Sequence, residues 1–228
     1  MMQADLMGLL KSKITYGWLI AAVFLEIIAR PPFGTTSLVL AQGLSYLFYI
    51  WSMLIIGIAA SAVASESGEF ADSLMSKPIR RYDYILAKFS SRTCYVMIVY
   101  LLIIAVLVPL SLRAALNDYE VYGLIASISL VALTLVMLTS LGVTLSTLFP
   151  NVVVPIVILL ILWYAMTFFF PLLDPSLNLL SPSYLVSQLP SIAQGVYTGE
   201  EWKTVASFAA ITIASAALAT VYFSEKDL

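Results

Sequence analysis

"TCYVMIVYLLIIAVLVPLSL", Thr93 to Leu112, is twenty residues without a charge. A helix needs about 20 apolar residues to cross the ~30 Å hydrocarbon core of a bilayer. The stretch has no residue-by-residue alternation. Only helices and closed barrels satisfy their backbone in lipid, so it reads as a membrane-crossing helix. Working outward, five more apolar runs occupy residues 16–29, 37–64, 121–149, 151–173 and 205–223. The first is short and contains Glu26, whereas 37–64 and 121–149 are long enough to tilt or project beyond the bilayer. Composition agrees: 61% of the 228 residues are hydrophobic and 11% charged, with mean hydropathy +1.00. A soluble domain carries roughly 25% charged residues. The expected fold is an all-α integral membrane protein, one domain over 1–228 with six transmembrane helices.

Orientation follows from Lys and Arg, which concentrate on the cytoplasmic side. With the N-terminus inside, the inner segments carry Lys11, Lys13, Lys77, Arg80, Arg81, Lys88, Arg92 and Lys226, against Arg30, Arg113 and Lys203 outside. The expectation is N-in, C-in. Residues 1–15 place Leu6, Leu10 and Ile14 at helical spacing, with Asp5, Lys11 and Ser12 elsewhere. That pattern predicts a short interfacial helix rather than a secretory signal. Residues 173–204 hold Pro175, Pro182 and Pro190 among apolar residues, which predicts one or two short helices capping the outer side or dipping into the outer leaflet.

Residues 65–88 form the inner loop between the second and third spans and hold eight of the chain's 24 charges. Glu66, Glu69 and Asp72 recur every three residues, at the dipole-favoured start of a helix beginning near Ser65. Phe70 and Leu74 give that helix an apolar edge, and Pro78 stops it. A second helical start carries Arg80, Arg81 and Lys88. Basic residues alone would serve a lipid anchor. The acids and the apolar pair point instead to a docking element, and the other inner loop is too small to receive it.

Several chemistries are disfavoured. There is no His, and the lone Cys94 carries no disulfide, redox or metal signal. No metal site is expected, and no basic stretch reads as a nucleic-acid arm. A membrane enzyme would have only Glu66, Glu69 and Asp72 as an acid cluster, with no nucleophile beside them. A channel or ion-coupled carrier would need ionisable groups in several spans. An accessory membrane scaffold remains an alternative.

The pattern Glu66, Gly68, Glu69, Leu74, Ser76, Pro78, Arg80 or Arg81, Tyr84 and Lys88 resembles the corresponding stretch of ABC-2 type permeases, the membrane subunits of type V ABC transporters. The span count, the proline-broken "LLSPSYLVSQLP" at 179–190 and the closing Phe223-x-x-x-Asp227 are similar to that family across nearly the whole chain. The chain departs in reading Gly68-Glu69-Phe70 where the family often places a small polar residue.

The resemblance implies that the loop is a coupling helix seated in a groove of a separate ATPase subunit. The coupling residues would be Glu66, Gly68, Glu69, Phe70, Leu74, Pro78, Arg80, Arg81, Tyr84 and Lys88. This chain has no Gly-x-x-x-x-Gly-Lys-Ser/Thr stretch, so ATP and Mg would be held by the partner and no cofactor by this chain. A second permease, a copy or a homologue, would complete the transporter among membrane lipids. The resemblance further implies a pathway at the interface of the two permeases, lined by spans two and five. Tyr46, Tyr49, Trp51, Trp163 and Phe168 are the candidates there, although aromatics near span ends also form interfacial belts. Glu26 and Arg30, four apart, suggest an ion pair near the outer interface. Thr134, Thr139, Ser140, Gly142, Thr144 and Ser146 in the fourth span suggest close helix packing.

Overall fold

The computed structural model describes residues 2–28, 34–66, 81–114, 116–173 and 181–225. Among these residues the elements are helices: α1 Met2–Leu10, α2 Lys13–Ile28, α3 Thr36–Ala60, α4 Arg81–Ser111, α5 Val121–Leu148, α6 Val153–Phe169, α7 Pro182–Ala193 and α8 Glu200–Glu225. An isolated parallel bridge pairs Thr35 with Leu116. Four helices (α3, α4, α5 and α8) are long and apolar enough to cross a membrane, and α1 with α2 counts as a fifth if that pair, bent by 52°, is one span. Residues 151–173 read as a full span. There the apolar helix is the 17-residue Val153–Phe169, continued by a turn at Phe170–Leu173. The first span is α2, only 16 residues long. By length and composition the described helices thus supply four spans, or five with the bent pair, against the six expected.

Local chemistry sets the ends. Phe149 takes extended angles (φ −116°, ψ 128°) and stops α5, because the residue before a proline is driven out of the helical region. Pro182 opens α7 at its first position, where a missing N–H costs nothing. Gly195 follows α7 at φ +79°, and a Cβ there would also collide with the Glu120 carboxylate. Before α8, Thr198 donates from its N (2.9 Å) and Oγ1 (2.8 Å) to Oε1 of Glu201, closing the helix start.

Helix α5 is the axis, packing against α3, α4, α6, α7 and α8. It can do so because its contact faces are small. Gly142 lies so close to α3 that an added Cβ would collide with the Ala59 Cβ, and it would stand 3.2 Å from the Ala59 carbonyl carbon and the Ala60 nitrogen. Gly123 is pressed against the backbone of α7 at Ile192 and Ala193. Thr134 and Thr139 turn their hydroxyls back to the Leu130 and Leu135 carbonyls at 2.9 and 2.8 Å. Ser140 bonds the Thr212 carbonyl (3.0 Å) and the Ser215 hydroxyl, and Thr144 bonds the Ser215 carbonyl (2.9 Å). Those two serve α8. The small polar residues of the fourth span are thus close-packing residues, as their sequence suggests.

The outward surface is apolar in turn. Ile20, Phe24, Leu101, Tyr122, Ile161 and Ile213 are all more than half exposed, which lipid tolerates and water would not.

At the end of the bundle away from α1, a polar knot joins α3 to the turn before α5. Asp118 accepts from the Ser37 N (2.9 Å) and Oγ (2.5 Å), and Gln194 Nε2 donates to it at 2.9 Å. Burial alone would raise the Asp118 carboxyl, but hydrogen bonds from Ser37, Thr35 and Gln194 outweigh it and hold the pKa below the usual value. The carboxylate's contribution is therefore complete above the unfolded pKa of about 3.9 and is lost as pH falls through the lower folded value. The melting temperature in detergent is expected to fall as pH drops below about 4, and Asp118→Asn should flatten that part of the profile.

Candidate functional site

The 31 residues of α4 span about 46 Å at 1.5 Å per residue, well beyond a bilayer core. Its first turns carry Tyr84, Lys88, Ser91 and Arg92, spaced to share one face. That face is covered by the chain itself. Lys88 Nζ lies 3.3 Å and Arg92 Nη2 3.6 Å from Oδ1 of Asp5 in α1, and Ser91 Oγ donates to Asp5 Oδ2 at 2.6 Å. Leu6, Leu9 and Leu10 pack α1 onto the core. Tyr84 is buried and stacks on Phe223 of α8, with ring centroids 5.7 Å apart, in a small cluster with Val63, Ile85, Val143 and Ala219.

The other side of the same loop is also fastened. Val63 N and Ala64 N both donate to Ser146 Oγ of α5 at 2.9 Å. The two ends of the connection between α3 and α4 are therefore fastened to α1, α5 and α8. Asp5→Asn should cost about 2 kcal/mol, because it weakens charge-assisted bonds to two buried cations. Faster hydrogen exchange in residues 2–10 is the measurement that checks this.

The sequence-predicted loop residues divide accordingly. Gly68, Glu69, Phe70, Leu74, Pro78 and Arg80 lie outside the described residues. Glu66 ends a short 3-10 turn, Ala64–Glu66, and Arg81 begins α4. Tyr84 and Lys88 are engaged by Phe223 and Asp5 within the chain, at the root of the loop. Glu26 falls in α2, and Arg30 lies outside the described residues.

The aromatic candidates fall on or beside two matching irregularities. Leu47–Trp51 in α3 and Ala165–Phe169 in α6 wind as π-helix, a geometry often found at functional sites. The two segments touch. Tyr164 OH donates to the Tyr49 carbonyl at 3.2 Å, Phe48 stacks on Trp163 at 6.5 Å, and Phe168 lies against both Tyr49 (6.2 Å) and Tyr164 (6.0 Å). Phe168 is 52% exposed, whereas Trp163 is buried. Trp51 instead meets Trp18 of α2 at 5.5 Å, and Tyr46 accepts from Gln42 at 3.0 Å. So Tyr49 and Phe168 meet, Trp163 stacks on Phe48, and Trp51 and Tyr46 have other partners. The π segments themselves have no signal in the sequence beyond the density of bulky side chains.

Among the described residues no group of three or more His, Cys, Asp or Glu is placed to hold a metal.

Several long apolar helices packed on a small-residue axis and clad in exposed aliphatic side chains make this a multi-pass membrane protein. Residues 44–228 match the model of the family described as ABC-2 family transporter protein, and the chain belongs to that family, the membrane transport component of ABC transporters. No curated protein matches the chain.

Proposed function

We propose that the chain is the permease half of an ABC exporter of hydrophobic or amphipathic compounds, driven by a separate ATPase subunit docked on the loop between α3 and α4. The observation that carries this reading is the anchoring of that loop's two roots to α1, α5 and α8. A push on the loop would reach the axis helix through Ser146 and the last helix through Tyr84 and Phe223. Two ATPase subunits closing on ATP would move two such loops and rock two permeases between inward-open and outward-open states. Coupling of this kind requires that the ATPase state favour one membrane conformation by differential contacts. In this reading the chain crosses the membrane six times, with α2 and α6 tilting less than the long helices, and the Asp5, Lys88 and Arg92 cluster lies on the cytoplasmic side. The half-exposed stack of Tyr49, Tyr164 and Phe168 supports an apolar pathway against the second permease. ATP hydrolysis belongs to the partner.

The test is purification from native membranes in mild detergent. The chain should copurify with a subunit carrying a phosphate-binding loop, and ATP turnover should require both. A chain that purifies alone and leaves the ATP turnover of that subunit unchanged would overturn the reading.

A further inference from the structure

At the end of the bundle opposite α1, α5, α7 and the start of α8 enclose a cavity of about 270 Å³. Leu130, Leu133 and Ile192 give it an apolar lining, which Tyr197, Glu201 and Trp202 join from the start of α8 and the turn before it. From Ala126 to Leu133 the α5 wall rises about 10 Å. Glu201 is only 8% exposed. Its Oε1 takes both bonds from Thr198, while its Oε2 is buried and accepts none. Of the four side chains with a buried polar atom lacking a hydrogen-bond partner among the described residues, Glu201 alone is acidic. No Lys or Arg lines the cavity. Lys203, one position beyond Trp202, is 64% exposed at its side chain and pairs with Glu200 at 3.7 Å.

We propose that this slot binds a single-chain alkylammonium amphiphile, head against Glu201 and Trp202, tail along Leu130 and Leu133. Three features select that chemistry. The one formal charge in the lining is negative, which rejects anionic heads. Trp202 and Tyr197 present aromatic rings, the faces that attract ammonium groups. The volume falls below the ~300–1,000 Å³ of drug-sized pockets, so it suits one chain and not a two-chain lipid. The site is separate from the π segments and from the loop between α3 and α4, and binding there needs no ATPase.

The test uses the purified full chain in dodecyl maltoside, titrated with dodecyltrimethylammonium and followed by Trp fluorescence. Saturable binding is expected, with dodecyl sulfate unable to compete. Glu201→Gln keeps an acceptor for Thr198 and removes the charge, and should weaken binding at least tenfold. Ala126→Phe leaves the α8 start untouched, fills the slot and should abolish binding. Wild-type affinity in Glu201→Gln, or equal affinity for dodecyl sulfate, would overturn the proposal. So would undiminished binding to a folded Ala126→Phe chain.

Discussion

Replacing Phe70 and Leu74 together by alanine is expected to abolish substrate export and the stimulated ATP turnover of the partner, while the chain still inserts and keeps its normal melting temperature. The two residues are four apart on the predicted loop helix, between an acidic start and a basic end. Burying a side chain of either kind contributes about 1.5–3 kcal/mol. Losing both from a small docking surface would weaken it by at least about a hundredfold, since each 1.4 kcal/mol is a factor of ten. Phe70 and Leu74 lie in sequence between the two roots, and the root contacts of Val63, Ala64, Tyr84 and Lys88 are kept in this variant. Turnover measured in proteoliposomes at saturating ATP, with partner concentration varied, separates weakened docking from a failed stroke. Undiminished turnover and export would remove the loop from the mechanism.

The second large effect is structural. Gly142→Leu should cost more than about 3 kcal/mol and leave little folded protein. Overpacking a close-packed site commonly costs 1–3 kcal/mol, and here the obstacle is the backbone and Cβ of Ala59, which cannot rotate away. Helix α3 would have to move off α5, taking the bonds of Val63 and Ala64 to Ser146 with it. A milder pair makes the cause explicit. Gly142→Ala alone should lower the melting temperature, and adding Ala59→Gly should restore part of it, a coupling that only touching residues show. An unchanged melting curve for Gly142→Leu in detergent would mean that α3 and α5 do not meet there.

Much of this was legible in the sequence because lipid imposes a simple rule: a long apolar run must be a helix. Residues 93–112 and 121–149 announce α4 and α5 on that ground. The small polar residues from Thr134 to Ser146 announce a crowded axis, since in hydrocarbon they need partners and allow close approach. The ends were harder. Residues 16–29 are apolar but short, and α2 provides only 16 residues. The same holds for 151–173, where a π turn interrupts α6 at Ala165–Phe169.

The candidate site was legible in chemistry but not in geometry. Tyr84 and Lys88 read as surface residues of a docking loop, yet their neighbours are Phe223, 139 positions on, and Asp5, 83 positions back. A single sequence does not disclose such long-range pairings. Tyr49, Trp163 and Phe168 were candidates for their aromatic character alone. What joins Tyr49 to Phe168 is a pair of π turns, for which no residue spacing gives a cue. Glu201 was missed for a different reason. A carboxylate three positions after Thr198 reads as a helix start, and its second, unpartnered oxygen is visible only once α5 and α7 are in place.

The most direct test of the account is a photoreactive amino acid placed at position 70 in the otherwise native chain, activated in intact membranes, with the adduct sequenced. The account predicts a crosslink to a subunit that carries Gly-x-x-x-x-Gly-Lys-Ser/Thr and hydrolyses ATP, lost when Leu74 is also replaced by aspartate. Adducts confined to phospholipid or to this chain's own helices would contradict it.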